Sequence, residues 1–481
     1  MFPFNIMKDI IVWLLKGYIF KREAGAKFDK PKNYRKYLNS SNTGLVLDGD
    51  NLALSEQDSF QNVCVIARIG AGKTSRYIIP NVLNRAKRHC SLVVNDPKGE
   101  VFQATSATLE AWGYRILVIS PENPEYSAYF NPLAEARNDI ELDQIAEIIV
   151  KAGNPRDKDE FWNQGAIRFV SFFLRCLAIA EEDEPGVNNL ANLYYLLQNF
   201  GADGNKLDSW IARNTVIPDD PNDQVLWNEW NGLLTGNKEG IQSFVLNALT
   251  ALKALSNRSI AQVTSRSDFS LESIRKQKTA LFFITPPQLA GYYGFLISVF
   301  FRSVFNASMR ERPDRSTLPL YIFYDEFGHS TIPNFVSTAN TIRAYRVSLS
   351  IVLQSITQLS SRYGRDEGEA IKGGFSTYLS YAGSDPETTR FFELICGRKR
   401  ITQLPSDLKN FTEHYREENL INSAEIRMMS DDEVLIVSAN RQPVKITSTP
   451  YFKNMRLKKF TYKDPIKIIR RPLFPMKYTK I

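Results

Sequence analysis

Cysteine and histidine are scarce in this chain, whose 481 residues include four of the first and three of the second. Cys64, Cys90, Cys176 and Cys396 lie far apart and show no CxxC spacing. That argues against a structural zinc site or a disulfide framework and suits a reducing cytoplasm. His89, His329 and His414 are too dispersed for a histidine-rich metal site. Long hydrophobic runs are missing as well. The best N-terminal candidate, residues 10–20, contains Lys16 and Gly17, and it falls well short of the roughly 20 apolar residues that a spanning helix needs. No small-residue cleavage site follows, so a secretory signal is not expected. Trp13 and the flanking Lys8, Lys16, Lys21 and Arg22 suit a helix lying on a membrane or on a partner, or equally a short packed helix. Residues 169–180 and 292–305 are interrupted by Arg175 and Arg302 and read as buried core helices.

Composition is otherwise that of a globular protein. Hydrophobic residues make up 43% and charged residues 23%, which excludes a disordered or fibrous chain. The length fits about three domains of ~150 residues, or one large fold with an insertion. The net charge of +8 is unevenly spread. Residues 453–481 hold ten Lys/Arg and one Asp, a net of +9, which leaves −1 for the rest. A basic segment of this kind can meet nucleic acid, anionic lipid or an acidic partner, or be a solvated terminus.

After a polar, turn-rich lead-in over residues 25–60, the run Asn-Val-Cys-Val-Ile-Ala at 62–67 fits a buried strand. A glycine-rich turn follows, then a helical stretch from Lys73 to about Arg88, then strands at 91–95 and 115–119. Strand–helix alternation of this kind indicates a parallel α/β sheet. From about 139 to 256 strand signals fade. Ile140, Leu142, Ile145, Ile148 and Ile149 recur at helical spacing, so this stretch reads as an all-helical insertion. Strands resume at 279–285, 320–324, 348–353 and 377–382, with one more expected at 433–438.

The turn after the first strand reads Ala67-Arg68-Ile69-Gly70-Ala71-Gly72-Lys73-Thr74-Ser75, a P-loop pattern with alanine at its first glycine position. Glycines at 70 and 72 let backbone N–H groups wrap phosphate oxygens. Gly70, Ala71, Gly72, Lys73, Thr74 and Ser75 are the expected nucleotide-binding set, with Lys73 on the β- and γ-phosphates and Thr74 on Mg²⁺. The following helix points its N-terminus at the phosphates. A second carboxylate site is expected at the end of a neighbouring strand. Leu320-Tyr321-Ile322-Phe323-Tyr324 buries such a strand and leaves Asp325 to hold Mg²⁺ and Glu326 to activate the attacking water. Gln354 ends another apolar strand and can sense the γ-phosphate. Arg343 and Arg346 precede it, and either could complete a neighbouring subunit's site as an arginine finger.

Beyond these motifs stand Asn95-Asp96-Pro97-Lys98-Gly99-Glu100, Phe130-Asn131-Pro132-Leu133, Phe161-Trp162 and Gln354-Ser355-Ile356-Thr357-Gln358-Leu359. In this order, from about residue 60 to 450, the chain resembles the type IV secretion coupling proteins, the TraG/TraD-like conjugation ATPases. The resemblance implies a RecA-like P-loop NTPase motor domain of the α/β class with an inserted all-α domain, assembled as a homohexamer around a central channel. It implies ATP and Mg²⁺ as cofactors, DNA bound without sequence preference, a relaxase partner and delivery into a type IV secretion channel. It matches Gln354 to the family's sensor glutamine and Arg343 to an arginine upstream of it, and it makes Asp96 and Lys98 supports of the active site.

The expected layout is a short apolar and basic segment at 1–24, a nucleotide-binding domain in two parts (25–138 and 257–452) around an all-α domain (139–256), and the basic segment at 453–481. Family members usually begin with membrane-spanning helices, whereas here the P-loop lysine already stands at 73. The expected placement is therefore cytoplasmic and peripheral at the inner face of the bacterial membrane, with a separate membrane recruiter. Two other functions fit parts of the pattern. One is a nucleotide-controlled substrate receptor that pumps no DNA. The other is a DNA pump of the FtsK/HerA kind, which should lack both Asn95–Glu100 and the helical insertion.

Overall fold

Short β-branched runs become strands here because both of their faces are covered, which removes the usual apolar–polar alternation. The computed structural model describes residues 25–154, 160–201, 207–216, 223–403 and 414–481. The apolar segment expected at 1–24 lies outside them. Eleven strands are present among these residues: β1 (Val63–Ile66), β2 (Ser91–Asn95), β3 (Arg115–Ile119), β4 (Thr279–Phe283), β5 (Leu320–Tyr324), β6 (Val347–Leu353), β7 (Thr377–Tyr381), β8 (Arg398–Gln403), β9 (His414–Asn419), β10 (Glu433–Ser438) and β11 (Val444–Thr447). Nine of them form one sheet in the order β11-β10-β7-β1-β6-β5-β2-β4-β3. β1 to β7 pair in parallel, and β10 and β11 close one edge antiparallel. β8 and β9 form a separate two-stranded ribbon.

Alternate residues of each strand enter two different cores. Cys64 and Ile66 of β1, with Leu320, Ile322 and Tyr324 of β5, face the core shared with the long helices. Val63 and Val65, with Tyr321 and Phe323, face the helix after the P-loop and the N-terminal lead-in. That lead-in is well packed, burying Leu38, Leu45, Leu47 and Leu54. Val46 is pinned there by Asn81, whose side chain accepts from its N–H at 2.7 Å and donates to its carbonyl at 2.9 Å.

Between β3 and β4 the described backbone is helical, with helices at Asp139–Gly153, Glu160–Asp183, Leu190–Gln198, Asp208–Asn214, Val225–Leu234 and Lys238–Ala251. Asn138, Asn189 and Asn237 cap three of these helices with their side-chain oxygens, satisfying first-turn N–H groups that the helix itself leaves open. Phe172, Phe173, Phe200 and Trp230 form the aromatic centre of the bundle. Its core is continuous with the sheet face through the helix Ala290–Met309. No helix among the described residues is long and apolar enough to cross a membrane.

The basic segment after 453 is largely exposed but is tied to the rest of the chain at several points. It runs as an extended strap from the sheet to the helical bundle. Thr108 donates to the Phe460 carbonyl at 2.6 Å, and the Phe460 ring meets Trp112 edge-on. Arg470 grips Glu125 with two hydrogen bonds of 2.7 and 3.0 Å, and Arg471 reaches Asp268 at 2.6 Å. At its far end Thr479, 2% exposed, accepts from Trp210 Nε1 at 2.8 Å, and its N–H donates to Asn192 Oδ1 at 2.9 Å. Arg456, Arg470 and Arg471, three of the segment's ten cations, thus pair with acids of the chain's own body.

Candidate nucleotide site

The register of the central strands brings three loops to one edge. Ile66 pairs with Leu353 and Tyr324 with Ile351, so the P-loop, Asp325-Glu326 and Gln354 all leave the carboxyl ends of β1, β5 and β6 together. This is where open parallel sheets bind their ligands. β6 lies between β1 and β5 and so sets Gln354 between the two motifs.

Gly70 and Gly72 adopt φ of +81° and +82°, a left-handed conformation that glycine tolerates without penalty. At Gly72 a Cβ would stand 3.0 Å from Ser75 Oγ and 3.1 Å from Arg76 Nε, a tight contact that these side chains would have to relieve. Ser75 donates to the Gly72 carbonyl at 3.1 Å, and Ala71 is half-buried in the loop. The expected helix begins with a π turn, Thr74–Ile78, and continues as Ile79–Ala86. Pro80, which lacks an N–H and cannot bond back one α-turn, accounts for the wider turn.

Thr74 Oγ1 donates to Asp325 Oδ2 at 3.1 Å, joining the two motifs directly. Asp325 is buried, and its Oδ1 accepts the Glu326 N–H at 3.0 Å. Burial, with the like charge of Glu326 second, raises its carboxyl to about 6, against the pull of Lys73 and Thr74. Lys73 is buried, and its Nζ has no hydrogen-bond partner and lies 3.6 Å from Glu326 Oε1. Glu326 sits at φ +54°, in the left-handed region. Its Oε2 accepts from Gln354 Nε2 at 2.8 Å. Lys73, Thr74, Asp325, Glu326 and Gln354 thus form one constellation.

Arg343 is not part of it. It is exposed, on the turn Ile342–Tyr345 at the opposite end of β6 from Gln354, more than about 20 Å away at the ordinary rise of a strand. From there it cannot reach the nucleotide site of its own chain. Arg346 is tied into the fold, donating to the Asp314 and Thr317 carbonyls at 3.3 and 3.2 Å. Lys98 is exposed and 3.9 Å from Glu100. Asp96 is buried below the edge and accepts the Phe102 N–H at 2.8 Å. Burial raises its carboxyl to about 7, with the charge of Asp325 contributing.

The supporting roles of four side chains escaped the sequence reading. Gln358 accepts the Gln354 N–H at 2.8 Å and packs over Gly328, where a Cβ would not fit. The repeat of glutamine four residues apart was its only trace. His329, one turn after Glu326, places Nε2 3.9 Å from Glu326 Oε2. Arg68 of the P-loop pairs with Asp431 at 3.2 Å, and Arg76 donates to the Ser448 carbonyl, so both lean on the antiparallel edge of the molecule. No local pattern announces such distant partners.

Residues 22–469 match the family described as Type IV secretory system Conjugative DNA transfer. Among characterised proteins, the VirD4 proteins of Rhizobium radiobacter and Agrobacterium fabrum are each 22% identical over 82% of this chain. The chain spans only 57% and 59% of their lengths. Among solved structures, the bacterial conjugative coupling protein TrwBΔN70 with sulphate aligns at a TM-score of 0.69 and 18% identity, covering 89% of this chain and 95% of that one. TrwB in complex with ADP and Mg²⁺ aligns at 0.67 and 18%, covering 90% and 95%. The fold is thus that of a RecA-like P-loop NTPase.

Proposed function

Because the chain belongs to the type IV secretory conjugative DNA transfer family, we propose that it is the ATP-driven coupling protein of a conjugative system, delivering DNA with its relaxase to a type IV secretion channel. The observation that carries the ATPase reading is the hydrogen bond from Thr74 to Asp325 beside the buried, unbonded Lys73 ammonium. An ammonium kept from water with only a long ion pair to Glu326 is poorly satisfied, and a ligand's oxygens would complete it. A cradle that a Cβ at Gly72 would crowd fits a phosphate chain in the same place. Gly70, Ala71, Gly72, Lys73 and Ser75 would hold the phosphates, and Thr74 with Asp325 would hold Mg²⁺. When bound, MgATP supplies the scissile phosphoanhydride and the cation that neutralises its charge.

The chain's own groups then have distinct tasks. Lys73 leaves Glu326 and turns to the phosphates. Glu326 Oε2, held by Gln354, orients a water and takes its proton. Arg343 acts only between copies, consistent with a homohexamer. In this reading the protein works at the inner face of the membrane through a recruiter, and no base-reading element is needed because such motors follow the nucleic-acid backbone by charge.

ATP hydrolysis measured over a range of protein concentrations, with and without DNA, tests the proposal. Turnover that rises cooperatively with protein and further with DNA, and that vanishes in Lys73→Ala, is the expected result. Turnover that Lys73→Ala leaves intact would remove the assigned site. Turnover indifferent to DNA would move the protein from motor to nucleotide-controlled receptor.

A further inference from the structure

A cavity of about 760 Å³ opens between helices of the bundle and the residues that follow β5. Its floor is the close crossing of Gly153 on Ala251, two helices packed backbone to backbone. Its bundle wall carries Lys253, and its sheet wall carries Tyr292, His329 and Arg362. Among the described residues no carboxylate lines it. Lys253 and Arg362 are both exposed, and Arg362 is fixed by a 2.6 Å bond from Nε to the Gly328 carbonyl. Tyr292 is 45% exposed at the start of the helix Ala290–Met309. Gly291 and Gly294, on the same helix, have open space where a side chain would stand, which leaves a slot beside the ring.

An aromatic face beside an open slot, flanked by two cations and with no acid among its described lining residues, has the chemistry of single-strand recognition. Bases stack on the ring, and phosphates pair with the cations. A duplex offers no base face to Tyr292. His329 is the side chain that both lines this cavity and lies against Glu326, with Nε2 3.9 Å from Oε2. Its Nδ1 is buried without a partner, so no hydrogen bond at that nitrogen locks the ring in place.

We propose that this cavity binds a segment of single-stranded nucleic acid, and that His329 is the positioning residue through which its occupancy sets the Glu326 carboxylate. The proposal rests on the motor reading and names the site at which DNA would act on turnover. A strand seated against His329 shifts the imidazole, and the imidazole shifts the carboxylate that must face water. Hydrolysis is then coupled to cargo without any contact between cargo and nucleotide.

Two measurements test it. Anisotropy of a labelled short oligo-dT, taken on the full chain without nucleotide, reads binding independently of hydrolysis. Combined Tyr292→Ala and Lys253→Glu should weaken binding roughly tenfold or more and flatten its salt dependence. Both residues are exposed, so the variant should keep the wild-type melting temperature. At saturating oligo-dT, His329→Ala should lose the rise in turnover that oligo-dT produces, and His329→Gln, which keeps an N–H donor, should regain part of it. Unchanged binding in the double variant, or equal competition by duplex, would overturn the cavity as a single-strand site. Full stimulation in His329→Ala would overturn the coupling. Loss of oligo-dT binding in the double variant, in a chain that hydrolyses no ATP, would uphold the cavity and sink only the motor reading.

Discussion

The carboxyl edge of the sheet and the C-terminal strap are both rich in charge, and they use it in opposite ways. At the edge, charged groups are buried and poorly matched. The Lys73 ammonium has no hydrogen-bond partner, two carboxyls titrate well above their ordinary range, and Glu326 holds a left-handed backbone. Along the strap the pairs are matched and mostly at the surface, as with Arg470 on Glu125 and Arg471 on Asp268. Where a polar group is deeply buried there, as at Thr479 and Trp210, it is bonded. Unmatched buried charge is tolerated where chemistry needs it. Matched charge serves only to hold the bundle to the sheet.

The largest effects should therefore come from the edge. Lys73→Ala and Glu326→Gln should each lower turnover by at least ~10²-fold, with Glu326→Gln still binding nucleotide in a fluorescent-analogue titration. Near-normal turnover in either variant would mean that the mismatch at the edge is not catalytic. The strap should answer in stability instead. Thr479→Val leaves the Trp210 indole N–H buried without an acceptor, a loss of about 1–3 kcal/mol. It should lower the denaturation midpoint while nucleotide affinity stays at the wild-type value. A fall in nucleotide affinity would show that the two regions are coupled.

How legible each region was follows from its geometry. Gly70, Gly72, Lys73 and Thr74 fall within five residues of sequence, and Asp325-Glu326 directly end an apolar strand, so local spacing carries the chemistry. The sheet was legible because its strands are buried on both faces and read as apolar runs. The strap has no period to detect. It is extended, several of its bonds are made by main-chain atoms such as the Phe460 and Lys477 carbonyls, and its partners lie hundreds of residues away. Its net charge pointed outward, towards nucleic acid or lipid, although Arg456, Arg470 and Arg471 are met by this chain's own acids and Lys477 by a carbonyl. The ribbon of β8 and β9 was equally hidden, because its polar residues lack the alternation that marks a half-buried strand.

Asp96 offers a smaller test of the same contrast. Its folded carboxyl titrates at about 7, raised chiefly by burial. A raised carboxyl favours the folded state while it holds its proton, so this contribution is full below the ordinary carboxylate range and is lost as pH rises through about 7. Asp96→Asn should remove that slope, and the variant's melting temperature should depend less on pH between about 5 and 8. An unaltered pH profile would show that Asp96 is charged and matched like the strap's acids.

The smallest effect belongs to Glu125, and its sign is opposite. The two hydrogen bonds from Arg470 hold its carboxyl below the ordinary value. A depressed carboxyl contributes stability above its unfolded range and loses it as pH falls through the folded value. Acidification should thus loosen the strap while it relieves the buried acids at the sheet edge. The pair is exposed, so salt should weaken it as well. Hydrogen exchange can follow the Arg471 N–H, which donates to the Glu125 carbonyl at 2.8 Å and leaves the edge untouched. Protection there should fall in Arg470→Ala at neutral pH and in the wild type once acid protonates Glu125, and should fall no further when both changes are combined. If acid exposes this amide as readily in Arg470→Gln as in the wild type, the main-chain bond alone seats the strap at this point and the ion pair contributes nothing to it.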